Sequence, residues 1–208
     1  MADQPKSPFY VVEDFVSPQI CEDIVDILNF YAPDVDKDDN PVLTVKTHEE
    51  AEQIIYERFL LLIPKLEQYY GIQYKGMERV SFEWFPEGSR NEAHAENSNF
   101  LRGKWLRTKQ RDLTAVLFLC DYQEQDNLER EFEVYGGKLE FPQHKFGFCP
   151  SRGTLIVFPS DPHFINISST VHVGDLFQAR IQVAAQVPYI YDPKQFQGNY
   201  TVWFKDLL

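Results

Sequence analysis

The spacing of apolar residues changes character near residue 78 of the chain. Before it, a short apolar run, Phe9 to Phe15, predicts a strand. Ser17 then fits an N-cap with Pro18 at the first helical position, where a missing N–H costs nothing. Ile20, Ile24, Ile27 and Leu28 fall on one face at helical spacing and predict a helix that stops before Pro33. Asp34 to Asn40 reads as an acidic turn, since a calcium loop needs spaced ligands and a glycine. A capping box from Thr47 to Glu50 opens a second predicted helix. It runs through Ile54, Ile55, Phe59, Leu62, Ile63 and Leu66 to Gly71, with a kink at Pro64.

From Glu78 onward the pattern is one of short strands: Val80–Phe85, Thr114–Cys120, Lys138–Phe141, Thr154–Phe158 and Gln178–Val187. Clusters of Gly, Pro and Asn punctuate them, and Gly136-Gly137 fits a turn before an inner strand. Two helices ahead of many strands predict an α+β chain with a jelly-roll core buttressed by helices. The expected layout is a single domain, with a helical part at 1–77, a core at 78–188 and a tail at 189–208. Gln123 to Val134 is acidic and polar and is expected to be a loop. The tail holds Tyr191, Phe196, Tyr200, Trp203 and Phe204, too many rings to leave in water, so it is expected to pack back or to meet a partner or second copy.

Composition narrows the functional classes. A chain of 208 residues can bury roughly 70% of its unfolded surface. Its net charge of -12 argues against nucleic acid as the principal partner. One basic run, Arg102, Lys104, Arg107, Lys109 and Arg111, interrupts that acidity. It is either a solvated loop or a rim that guides an anion. Cys21, Cys120 and Cys149 have no disulfide or zinc spacing. With no secretory signal and no apolar stretch long enough for a bilayer, a reducing, cytoplasmic setting is the expectation.

His94-Ala95-Glu96 carries the most specific chemistry. Residues two apart on a strand share a face, so an imidazole and a carboxylate can reach one ion. His163, in Ser160-Asp161-Pro162-His163, can supply a second imidazole from a later strand. Two histidines and one carboxylate with open positions are the arrangement of non-heme Fe(II) oxygenases. His172 is the rival for the second histidine, although its place before Gly174 fits a turn. His48 and His144 fit exposed positions.

The ordered set Trp84-Phe85-Pro86-Glu87-Gly88, His94-Ala95-Glu96, Arg111 to Leu119, Gly136-Gly137 and Pro150 to Ser160 resembles the 2-oxoglutarate- and Fe(II)-dependent oxygenase superfamily, in its prolyl-4-hydroxylase-like branch. Val12 to Ser17, followed by Cys21, resembles that branch's N-terminal strand and helix. The resemblance implies a double-stranded β-helix fold with His94, Glu96 and His163 as metal ligands. It also implies that Arg180, with Gln182 beside it, grips 2-oxoglutarate. The implied activity is a dioxygenase using Fe(II), 2-oxoglutarate and O₂ to hydroxylate a C–H bond, on a protein or peptide side chain of prolyl type. Trp105 and Phe100 fall where the family lines its substrate entrance.

Two departures stand out against that pattern. Glu96 replaces the branch's usual aspartate. The basic residue normally comes two positions after a glycine of the last strand, yet Leu176 follows Gly174 there and Arg180 lies further on. Leu176, Gln178 and Arg180 share a face on a regular strand, so Arg180 can act from that distance. The alternative is a non-catalytic structural or binding module that keeps the fold, such as a phage virion or assembly component. A nucleic-acid demethylase is disfavoured by the acidic charge.

Overall fold

The computed structural model describes residues 7–31, 43–45, 49–129 and 131–192. In chain order, β1 (Tyr10–Val12), α1 (Pro18–Tyr31), β2 (Leu43–Val45) and α2 (Glu49–Tyr70) come first. They are followed by β3 (Tyr74–Met77), β4 (Ser81–Phe85), β5 (Asn91–His94), β6 (Ser98–Leu101) and β7 (Lys104–Arg107). Next come β8 (Leu113–Phe118), β9 (Asp121–Gln123), β10 (Glu133–Gly136), β11 (Leu139–Phe141) and β12 (Phe146–Phe148). The last four are β13 (Leu155–Pro159), β14 (Asn166–Ser168), β15 (Val171–Val173) and β16 (Leu176–Ala185).

Helix α1 starts as its sequence dictates, with the Ser17 hydroxyl accepting from the Ile20 amide at 3.4 Å and Pro18 in the first turn. It buries Cys21, Ile24, Val25 and Leu28 on one face. Helix α2 buries Ala51, Ile55, Phe59, Leu62, Ile63, Leu66 and Tyr70 at three- and four-residue steps, and it continues through Pro64. It ends where Gly71 turns left-handed (φ 68°), with the amides of Gly71 and Ile72 both donating to the Glu67 carbonyl. Of the capping box, Thr47 lies outside the described residues, as does the predicted turn Asp34 to Asn40.

Antiparallel pairing orders the larger sheet β1-β13-β8-β16-β4-β2, with β3 also beside β16. A four-stranded antiparallel sheet, β12-β11-β14-β5, forms the second layer. Rings from both sheets meet between them. Phe141 of β11 and Phe158 of β13 lie 4.8 Å apart, and Phe9 touches Phe141, Phe148 and Phe158. Full burial of each such ring contributes about 1.5–3 kcal/mol. The Tyr70 hydroxyl ties α2 to this core, 2.8 Å from the Val157 carbonyl and 2.9 Å from that of Pro8.

The five strands expected after residue 78 all exist, with ends shifted by no more than two residues, and the Phe9–Phe15 run forms the shorter β1. Among the described residues, the short strands β2, β3, β6, β7, β9, β10, β12, β14 and β15 have no counterpart in the sequence pattern, because three or four residues carry no clear period. The expected loop from Gln123 to Val134 is bounded by β9 and β10, which pair in parallel. Gly136 and Gly137 do turn left-handed (φ 91° and 73°), and a side chain on Gly136 would meet the Thr170 carbonyl at 2.2 Å. Tyr191 packs back on Phe164 at 4.8 Å. Phe196, Tyr200, Trp203 and Phe204 lie outside the described residues. No described helix is long and apolar enough to cross a membrane.

Candidate functional site

His94 is the last residue of β5, and Glu96 lies two residues beyond, in the bend before β6. That bend is held by Asn97, whose amide donates to the Ser160 carbonyl and whose side chain donates to the Arg111 carbonyl. The chain therefore folds Glu96 inward rather than letting it follow a strand outward. Its side chain is 4% exposed.

Strand β16 brings the partners. Gln178, Arg180 and Gln182 alternate along it and share one face, as period-two geometry requires. Register then sets each neighbour. Gln178 stands opposite Glu83 of β4, and Gln182 stands opposite Thr114 of β8. Strand β14 adds Asn166, the direct cross-strand partner of His94.

Glu96 is the centre of this group. Its Oε1 accepts from Arg180 Nη1, lies 3.2 Å from His94 Nε2 and accepts from Asn166 Nδ2 at 3.4 Å. Its Oε2 accepts from Gln182 Nε2 at 2.9 Å, with Arg111 Nη1 at 3.9 Å. Three donors thus crowd onto Oε1, while Oε2 accepts one hydrogen bond and faces the more distant Arg111. The Gln182 amide is oriented in turn by Thr114, whose hydroxyl donates to Gln182 Oε1 at 2.8 Å and lies 2.7 Å from the Ser160 hydroxyl. Arg180 also pairs through Nε with Glu83 at 3.1 Å, while its Nη2 finds no partner among the described residues. Arg111 divides itself between Glu96 and Glu78.

Charge follows this geometry. Burial alone would raise the Glu96 carboxyl, but the Arg180 guanidinium and then His94 hold it well below the usual carboxylate range. Burial pushes the His94 ring down, and its hydrogen bond and charge contact with Glu96 outweigh that, leaving it above the ordinary imidazole value. The result is a compact set of compensating charges.

His163 is placed elsewhere. It lies in a 3-10 turn over Pro162–Phe164, with Asp161 Oδ1 accepting from its amide at 2.8 Å and lying 2.7 Å from its ring Nδ1. Its side chain is 67% exposed, beside the ring of Tyr191. Thus His94, Glu96, Arg180 and Gln182 come together, while the partners of His163 are a separate set. Asn166 faces His94 instead. His172 is exposed on β15 against Tyr135. Leu176, at the position where the resemblance expects a cosubstrate-binding base, is buried in the core against Gly137.

An iron centre of the expected kind needs two imidazoles and an available carboxylate. The residues present do not fit it. One imidazole, one carboxamide and a carboxylate already neutralised by a guanidinium converge here, and no described group of three His, Cys, Asp or Glu residues is arranged to hold a metal. Nor does Arg180 offer a free fork for a second carboxylate, because its Nε and Nη1 are committed to Glu83 and Glu96.

Sequence reasoning passed over Asn166, Thr114, Glu83 and Arg111 as members of this site. In the sequence Thr114 belongs to a strand motif and Arg111 to a basic run, and nothing local marks either as a neighbour of Glu96 or Gln182. A cleft of about 620 Å³ lies alongside, lined by Asn97, Trp105, Arg107, His163, Tyr189 and Tyr191 among others. The β6–β7 hairpin at its edge exposes Phe100, Leu101 and Leu106.

No family model matches the chain, and no curated protein does. Solved structures do match it. A viral collagen prolyl hydroxylase from Paramecium Bursaria Chlorella virus-1, in its 2OG complex, aligns with a TM-score of 0.64 and 16% identity, over 87% of this chain and 97% of its own. A Trichoplax adhaerens prolyl hydroxylase, in complex with a hypoxia inducible factor oxygen degradation domain peptide fragment, aligns at 0.66 and 14% identity, over 86% and 84%. A Pseudomonas putida prolyl-4-hydroxylase aligns at 0.63 and 14% identity, over 87% and 94%. The chain has the jelly-roll fold of the prolyl 4-hydroxylases, which are 2-oxoglutarate/Fe(II) oxygenases. Within that fold, an internal ion pair stands where an iron ligand is expected.

Proposed function

We propose that this chain is a non-catalytic binding module on a prolyl-hydroxylase fold, with a polypeptide partner seated in the cleft beside Trp105. The observation that carries this reading is the buried pairing of Glu96 with Arg180, which uses the carboxylate and the guanidinium on each other. The cleft of about 620 Å³ and the exposed rings of the adjoining hairpin support a binding role for the surface. The peptide fragment bound by the Trichoplax neighbour supports a polypeptide as the class of partner.

The competing reading is the dioxygenase itself, with Fe(II) on His94, Glu96 and His163, 2-oxoglutarate on Arg180 and Gln182, and a prolyl-type protein substrate. The fold favours it, since one neighbour is a 2OG complex. It requires the Glu96–Arg180 pair to open and the exposed His163 ring, whose Nδ1 lies against Asp161, to swing in towards Glu96. Turnover separates the two. The chain is incubated aerobically with Fe(II), ascorbate, 2-oxoglutarate and a library of proline-containing peptides, and succinate is measured by mass spectrometry. The module produces none above the buffer rate. Succinate that depends on the chain, and is lost in His94→Ala, establishes the oxygenase.

A further inference from the structure

We infer that Arg180 is a resident cation standing in for a metal, and that position 166, not 163, is the third corner of a latent metal site with His94 and Glu96. This inference rests on the non-catalytic reading and specifies what replaced the iron. Three observations carry it. Asn166 is the cross-strand partner of His94, so its side chain rises beside that imidazole, and it already reaches Glu96 Oε1 at 3.4 Å. His94 Nε2 contacts the same oxygen at 3.2 Å. The Arg180 guanidinium donates to that oxygen as well, so His94, Asn166 and Arg180 converge on one carboxylate atom.

A divalent ion bound by His94 and Glu96 would draw on the same carboxylate oxygens that Arg180 and Gln182 now hold. A guanidinium stays protonated at any pH the fold survives, so it remains a permanent counter-charge to Glu96. Asn166 completes the exclusion. A carboxamide is a weak neutral ligand that supplies no imidazole, and here its amide nitrogen faces Glu96, which turns a donor rather than a lone pair towards the centre. Two substitutions then convert the ion-pair site into a metal site. Asn166→His adds the second imidazole, and Arg180→Gln removes the cation while keeping an amide donor for Glu83.

Co(II) is the probe, because its visible bands report directly on nitrogen and oxygen ligation. Wild type, N166H, R180Q and N166H/R180Q are titrated with CoCl₂ under argon, and melting temperatures are recorded with and without the metal. The double variant is expected to develop cobalt bands, to bind at least about 100-fold more tightly than wild type, and to gain melting temperature in excess cobalt. N166H alone stays close to wild type, because Arg180 still holds Glu96. Adding H163A to the double variant changes nothing.

A double variant that shows neither bands nor a gain in melting temperature overturns the inference. So does N166H binding as tightly as the double variant, or loss of binding with H163A. Tight Co(II) binding by wild type would refute the non-catalytic reading itself, a result separate from these.

Discussion

Arg180 and Glu96 form an ion pair in which neither side chain is more than 5% exposed, with Arg180 Nη1 donating to Glu96 Oε1. Removing one member of a buried pair leaves the other charged and unsolvated, at about 3–5 kcal/mol. Arg180→Met is expected to cost about that much in urea unfolding. Glu96→Gln is expected to cost less, since the amide still accepts from Arg180 or Gln182. The pair E96Q/R180M should be less destabilised than the sum of the single changes. Strict additivity would show that the two residues are not coupled.

Thr114 orients the site without touching Glu96. Its hydroxyl donates to Gln182 Oε1 and meets Ser160 in a fully buried spot. Thr114→Val keeps the shape but strands the Gln182 carbonyl oxygen, at about 1–3 kcal/mol. Thr114→Ser keeps the hydroxyl and should fall well short of that loss in the same melt.

Two histidines give the stability profile opposite slopes. Burial pushes the His144 ring down, stacked 4.7 Å from Phe164 with Nε2 on the His163 carbonyl. The unfolded chain therefore takes up its proton first, and stability falls as pH drops below about 6.5 toward the folded value. His94 is shifted up, so the stability it lends is present below its unfolded value and is lost as pH rises through the folded one. Chemical denaturation from pH 5 to 8 should show the acid-side loss reduced in His144→Phe and the alkaline-side loss reduced in His94→Gln. Unchanged profiles would contradict both assignments.

Burial raises the thiols of Cys21 and Cys120 to about 12. Both are buried, while Cys149 is only partly so. Burial raises the Cys149 thiol too, but its partial exposure admits reagent, so native protein at pH 8 should slowly take up one iodoacetamide, at Cys149, and denatured protein three. Mass spectrometry reads the count. Rapid native labelling of Cys120 would show that β8 and β16 open locally.

The architecture was readable in the sequence where periodicity is strong. Helices α1 and α2 carry long apolar faces, β8 and β13 are apolar runs bounded by turns, and β16 alternates apolar residues with Gln178, Arg180 and Gln182. The approach of Glu96 to His94 was also readable from their two-residue spacing, although Glu96 sits in a bend rather than on the strand. What could not be read was pairing. The role of Asn166 depends on a three-residue strand lying against β5, and no local pattern announces such a strand. Arg180 was singled out as an anchor for an external carboxylate, and its observed partners, Glu83 and Glu96, are carboxylates of the chain itself. Guanidinium chemistry is the same in both roles, so residue type alone does not separate them. His163 was selected by its nearness to Phe158-Pro159-Ser160, whereas the 3-10 turn that Asp161 caps carries its side chain outward.

On our reading, the Arg180 guanidinium takes the place of a metal beside Glu96. Anaerobic titration of wild-type protein with Fe(II) and 2-oxoglutarate tests it most directly, with bound iron measured after gel filtration. Substoichiometric iron and no visible charge-transfer band are expected on that reading. One iron per chain, with a band that saturates on adding 2-oxoglutarate, would contradict it.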